Sequence, residues 1–250
     1  MDERRTRIFG TAAALLLALP FTLAASGTLL ILAPFPGRRR RGDAMIRWWA
    51  RNVLRITGVP HRVVGTENLP ADEDAPCVFV SNHTSALDIP VCLAHLPGHV
   101  RLLAKRSLFQ VPVFGWLLRL EGFVPVDRSS QRKARRSLRP AAQQIREGTR
   151  VFVFPEGTRT RTGELGPFKT GAFRLAIQAG VPVIPLAVSG AREILPPRSV
   201  RVKEGVVTLA VGPPIPTEGK TEEDRHRLRE EAKRWIQQTL ADQEASSSAP

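Results

Sequence analysis

The chain has 250 residues, with 37 Lys+Arg against 23 Asp+Glu and a formal net charge of +14, enough length for one domain with a real core. Two cysteines, Cys77 and Cys92, exclude a disulfide framework and suit a reducing compartment. The first 58 residues hold ten arginines and three acids, so half of the surplus flanks an apolar amino-terminal run and points to anionic lipid headgroups, while 6% aromatics, no tyrosine and no zinc-finger or RNA-recognition pattern argue against a nucleic-acid module.

Residues 8–33 carry no charge over 26 positions. About 20 apolar residues cross a bilayer core, so residues 1–36 are expected to form a membrane segment. Pro20 and Gly27 interrupt it, which leaves a tilted span, a kinked span or a re-entrant hairpin open. Arg38 to Arg41 follow the run in place of a small-residue cleavage site, which disfavours a signal peptide. The same cluster weakly places the main domain on the cytoplasmic side of the inner membrane. Residues 37–57 form a basic linker and, over 43–57, an interfacial amphipathic helix. Arg47, Arg51 and Arg55 make one stripe; Met45, Trp49, Val53 and Ile56 make another. Trp and Arg together suit a headgroup boundary.

From residue 58 to 240 the pattern is α/β. Apolar β-rich runs fall near 61–65, 77–81, 100–104, 122–125, 151–154, 183–188 and 206–211. Helical stretches at 89–94, 113–120, 132–147 and 171–179 lie between several of them. The alternation predicts a mostly parallel sheet flanked by helices. Residues 222–240 form a charged helix, and 241–250 a disordered tail. Pro112, Phe114, Trp116 and Leu117 belong to the core or line an acyl groove, the core being the simpler reading.

Ligands in such sheets collect beyond the carboxyl ends of the strands. Asn82-His83-Thr84-Ser85-Ala86-Leu87-Asp88 follows one strand run and Phe154-Pro155-Glu156-Gly157-Thr158-Arg159 another. Residues five apart on one helix differ by about 140° in direction. His83 and Asp88 therefore meet only if His83 sits in the turn and Asp88 in the first helical turn. A carboxylate on one imidazole nitrogen fixes the tautomer and leaves the other nitrogen as base. The plainer alternative is that Asp88 merely caps the helix. Arg128 and Arg159, with Lys105, are candidate phosphate ligands, since a guanidinium fork matches two phosphate oxygens. Cys92, His95 and His99 have tolerable metal spacing, but Pro97-Gly98 breaks any helix and no fourth ligand is evident. No Gly-x-Ser-x-Gly elbow, Walker A or Gly-x-Gly-x-x-Gly run is present.

These phrases, in this order, resemble the lysophospholipid acyltransferase superfamily over about residues 55–215. Asn82 to Asp88 matches its Asn-His-x-Ser-x-x-Asp block. Gly122 to Arg128 matches Gly-Phe-x-x-x-Asp-Arg, Phe154 to Arg159 matches Phe-Pro-Glu-Gly-Thr-Arg, and Val181 to Leu186 a fourth block. Phe168-Lys169-x-Gly171 and Ala104-Lys105 also fit. The resemblance implies a glycerolipid acyltransferase-like fold. It implies acyl transfer from acyl-CoA or acyl carrier protein to the sn-2 hydroxyl of lysophosphatidic acid, giving phosphatidic acid, with no cofactor or metal. It assigns His83 as general base and Asp88 as its orienting partner. It places Arg128, Glu156, Gly157, Thr158, Arg159 and Lys105 around the acceptor phosphate. Another lysophospholipid or a lyso-ornithine lipid is the alternative acceptor. A non-catalytic basic module binding membrane or nucleic acid leaves the joint presence of His83, Asp88 and the Glu156-Gly157 turn unaccounted for.

Overall fold

The computed structural model describes residues 20–127, 140–160, 162–197, 199 and 201–247. Seven strands form one sheet: β1 (His61–Val64), β2 (Val78–Ser81), β3 (Val100–Lys105), β4 (Val124–Val126), β5 (Arg150–Val153), β6 (Val183–Ser189) and β7 (Val207–Val211). Their order across the sheet is β1-β7-β6-β2-β5-β3-β4. The run from β6 to β4 is parallel; β7 is antiparallel to β6, and β1 runs parallel to β7. β2 and β5 sit in the middle and every one of their residues is buried. That is why both read as short unbroken apolar runs and not as alternating ones.

Helices cover both faces: α1 (residues 20–32), α2 (Arg38–Thr57), α3 (Asp88–His95), α4 (Phe114–Leu120), α5 (residues 140–146), α6 (Gly171–Ala179), α7 (Ala191–Ile194) and α8 (Arg225–Ser247). One apolar cluster packs Ala50 and Leu54 of α2 and Val91, Cys92 and Ala94 of α3 against Phe79 and Phe152. The other packs Ile145, Phe173, Leu175, Leu228, Ala232 and Ile236 against Val78, Val151 and Val183. In α8 the buried residues recur every four positions, one stripe of a 3.6-residue helix.

The strand and helix expectations hold to within a few residues, with four differences. β4 begins at Val124, because Gly122-Phe123 closes the turn after α4, with the Phe123 N–H donating to Leu118 O at 2.9 Å. Residues 241–247, expected as part of a disordered tail, continue α8; Ala, Gln and Glu are good helix formers and extend a helix already anchored in the core. Of the expected helix at 132–147, residues 140–146 are helical; 132–139 lie outside the described residues. Pro112 and Trp116, assigned to the core or a groove, are exposed, whereas Leu117 is buried.

The amino-terminal region is a helical pair. α2 runs back along α1: Trp49 Nε1 donates to Thr22 Oγ1 at 2.9 Å and the Phe21 and Trp48 rings lie 5.1 Å apart. Arg41 donates to the carbonyls of Leu32, Phe35 and Pro36, capping the end of α1. α2 starts five residues before the expected 43 and docks on α3, with Ala50 and Leu54 buried and Trp48, Arg51, Arg55 and Ile56 exposed. Residues 1–19 of the expected membrane segment lie outside the described residues. Among those described, no helix is long and apolar enough to cross a membrane.

Candidate functional site

β2 delivers its last buried residue, Ser81, to the carboxyl edge of the parallel strands, and the chain then turns before α3 begins at Asp88. Asn82 straps this turn to β6: its amide donates to Val188 O and accepts from Val188 N–H, both at 2.8 Å. Ser85 Oγ ties it to Leu195 O at 2.8 Å. Held this way, His83 lies in the turn and Asp88 in the first helical turn, and His83 Nδ1 is 2.8 Å from Asp88 Oδ2. The same oxygen accepts the Thr84 and Ser85 N–H groups at 2.7 and 2.9 Å. Asp88 is fully buried, and it stabilises the turn before the helix instead of capping the helix itself. With Nδ1 donating to the carboxylate, Nε2 of the imidazole is an acceptor. The His83 side chain retains 14% exposure, so a substrate can reach it.

β5 brings the second phrase to the same edge, since β2 and β5 are parallel neighbours. Phe154 stacks on the His83 ring, with centroids 3.8 Å apart and planes 14° from parallel. Glu156 Oε1 accepts the His83 N–H at 2.8 Å and Oε2 accepts the Gly166 N–H at 3.0 Å. The Thr160 N–H donates to His83 O at 2.9 Å. Glu156 thus braces two loops, each of its carboxylate oxygens accepting one backbone N–H. Burial raises its pKa, partly offset by the two backbone donors.

Gly157 has φ 81°, a backbone region unfavourable for other residues, and a Cβ there would lie 2.9 Å from Lys169 Nζ. The glycine therefore lets the Lys169 ammonium close on the turn. Thr158 and Arg159 are exposed at its head, next to Thr160, which touches His83. Lys105 is exposed at the carboxyl end of β3, on the same edge. Arg128 lies outside the described residues.

Sequence reasoning missed three supports. The Phe154 ring, the carboxylate brace of Glu156 and the Asn82 strap to Val188 act across long stretches of chain, so spacing does not reveal them. Lys169 fell within a familiar stretch, but nothing local tied it to Gly157. Both cysteines are poor nucleophiles: burial pushes the Cys77 thiol up to about 12, and burial with the nearby Asp88 charge pushes Cys92 well up.

A second histidine–aspartate pair occurs at the other end of the sheet. His99 Nδ1 lies 2.8 Å from Asp43 Oδ1. Arg101 bridges Asp43 at 2.8 Å and Glu121 Oε2 at 3.0 Å. His99, Arg101 and Glu121 border a cavity of about 260 Å³ with Arg38, Arg39 and Glu147 on its wall. His99 points to α2 and away from any shared site with Cys92. Among the described residues no three His, Cys, Asp or Glu side chains are placed to hold a metal.

Residues 61–189 match the family model described as acyltransferase. The chain is 41% identical over 154 residues to a chloroplast 1-acyl-sn-glycerol-3-phosphate acyltransferase of Brassica napus, covering 61% of this chain and 44% of that one. Against its Arabidopsis thaliana counterpart it is 35% identical, covering 72% of this chain and 50% of the other. The chain thus spans about half the length of these two plant relatives. Against the 1-acyl-sn-glycerol-3-phosphate acyltransferase of Pseudomonas aeruginosa it is 32% identical, covering 86% of this chain and 84% of the other. The crystal structure of the 1-acyl-sn-glycerophosphate acyltransferase PlsC from Thermotoga maritima superposes with a TM-score of 0.82 at 24% identity, over 98% of each chain.

Proposed function

This chain belongs to the acyltransferase family, and we propose that it transfers a fatty acyl group from acyl-CoA or acyl carrier protein to the sn-2 hydroxyl of lysophosphatidic acid, giving phosphatidic acid. The observation that carries the reading is the His83–Asp88 contact of 2.8 Å at the carboxyl edge, with the ring clamped by Phe154. A glycerol hydroxyl is a poor nucleophile. His83 Nε2 takes its proton as the oxygen attacks the thioester carbonyl, and Asp88 holds the ring and stabilises the imidazolium. The C–S bond then breaks and the imidazolium returns the proton to the departing thiolate. A thioester already carries a good leaving group, so no covalent acyl-enzyme, metal or further cofactor enters the scheme.

Arg159 and Lys105, with Lys169 against Gly157, supply cations on the His83 edge for the acceptor phosphate; Arg128 is the fourth candidate. An acceptor that lives in the bilayer places the domain at the membrane, on the cytoplasmic face where the acyl donors are found. The basic amino-terminal flank supports contact with anionic lipid and gives no reason to invoke nucleic acid. The test is a panel of lyso-lipid acceptors assayed with one acyl-CoA. Lysophosphatidate should give the highest kcat/KM, ahead of lysophosphatidylcholine and a lyso-ornithine lipid. Equal or better turnover of an acceptor lacking a phosphomonoester would overturn the choice of acceptor.

A further inference from the structure

Segment 106–120, between β3 and β4, leaves the sheet at the same carboxyl edge as His83, because β3, β5 and β2 are parallel. It is a short 3-10 helix (Arg106–Gln110) followed by α4. Its shape is costly to hold. Val113 has φ 64° and ψ −60°, with the Phe114 N–H donating to Pro112 O at 2.7 Å, a tight turn of the hand that β-branched residues avoid. A Cβ on Gly115 would come within 2.5 Å of the Phe109 carbonyl. Phe109, Leu117 and Leu118 are buried and anchor the segment. Yet the same compact unit presents Leu108 at 40% exposure, Val111 at 41% and Trp116 at 57%. Arg106, 3.8 Å from Asp127, and Arg119, over the Phe109 ring, are exposed on the same segment, and residues 105–120 contain no acid.

We infer that segment 106–120 is a docking surface for an anionic lipid bilayer, seating Trp116, Leu108 and Val111 at the boundary between headgroups and acyl chains. Arg106 and Arg119 then meet lipid phosphates. Rigid apolar side chains interleaved with arginines match that boundary in both polarity and charge. A second copy of the chain fits badly, since a two-fold interface would set these cations against their own equivalents. This surface rests on the lipid-acceptor reading for its purpose, which is to bring the His83 edge to the membrane where the acceptor resides.

The test uses the full chain with Trp48→Phe, Trp49→Phe and Trp235→Phe, so that Trp116 is the remaining tryptophan of four. On vesicles containing phosphatidylglycerol, its emission should shift to the blue and be quenched by lipids brominated near the headgroup. Vesicles of phosphatidylcholine alone should give a smaller response. Should these replacements disturb the α1–α2 pair, a Leu108→Cys chain carrying an environment-sensitive dye gives the same readout, Cys77 and Cys92 being buried. Trp116→Ser with Leu108→Ser should lower kcat/KM for vesicle-embedded lysophosphatidate about 10-fold and leave turnover of a monomeric short-chain acceptor unchanged. Emission that stays constant while the protein sediments with vesicles overturns the inference. So does a blue shift that follows protein concentration without lipid, which would identify a self-interface. A chain whose Trp116 is quenched but which acylates no lysophosphatidate retains this surface and loses the proposed acceptor.

Discussion

The molecule contains two histidine–aspartate pairs with the same 2.8 Å contact, and their surroundings differ in kind. His83 lies at the carboxyl edge of the parallel strands. Its carboxylate partner takes two backbone N–H groups, and its ring meets Phe154 on one side and keeps an exposed path. His99 lies at the opposite end. Its partner Asp43 is shared with Arg101, which also holds Glu121, and the whole set fastens α2 to the strands. The contact distance therefore does not define a catalytic dyad. The two rings are about equally exposed, at 14% and 13%, so what separates them is a carboxylate that no cation competes for among the described residues and a place at the carboxyl edge of the parallel strands.

Gly42 shows how closely the distal set is built. A Cβ there would sit 1.9 Å from Glu121 Oε2, so the α2 backbone rests directly on a buried carboxylate. Removing one member of such a set leaves the others charged and buried. The His83–Asp88 pair, proposed as the base and its partner, stands at the strand edge, so its function is expected to be separable from the fold.

The comparison can be broken in several places. The largest effect is expected from Asp88→Asn: the one oxygen that meets the His83 ring and the Thr84 and Ser85 donors becomes a neutral amide oxygen, so the turn keeps its bonds while the imidazolium loses the charge that stabilises it. Its kcat should fall on the order of 10²–10⁴-fold with little change in melting temperature. A rate within a few-fold of wild type would show that Asp88 serves only the turn. Next, Arg101→Met should cost about 3 kcal/mol of unfolding free energy, measured in urea, while folded protein keeps its kcat. A loss of kcat without loss of stability would merge the two sites. Arg159→Ala should raise the acceptor KM about 10-fold with kcat largely retained, the size of one lost charge-assisted contact.

The smallest effect is a pH dependence. Burial, helped by the Arg101 charge and opposed by Asp43, holds His99 below its ordinary 6.5. The unfolded chain then binds the proton first. Stability contributed by neutral His99 is complete above 6.5 and declines as pH falls through the lowered folded value. Burial depresses His95 as well, with the same sign. Burial raises Glu121 and Glu156, whose contributions are present below 4.5 and are lost as pH rises through their folded values, so they oppose the slope. Melting temperatures of His99→Gln should therefore fall less steeply than wild type as pH drops below 6.5. Identical slopes would remove His99 from the account.

Much of this was legible in the chain. Short valine-rich runs bounded by glycine and proline located six of the seven strands to within a residue or so, since central parallel strands carry no alternation to misread. The spacing of His83 and Asp88 required a turn-to-helix junction, and the junction is there. The strand order, and the reversal of β7 and β1, were not legible, because pairing between distant strands leaves no local trace. The bracing contacts of Glu156 were not legible for the same reason: its two partners lie 73 and 10 residues away. Trp116 was drawn into the core by its hydrophobicity, which says nothing about which face of a seven-residue helix is covered.

The most direct measurement compares His83→Ala with His99→Ala, both checked for folding by circular dichroism, in initial rates of lysophosphatidate acylation at saturating acyl-CoA. The account predicts that His83→Ala loses kcat by about 10²–10⁴-fold while remaining folded, and that His99→Ala keeps a near-normal kcat with a lower melting temperature. Near-normal turnover by His83→Ala would contradict it.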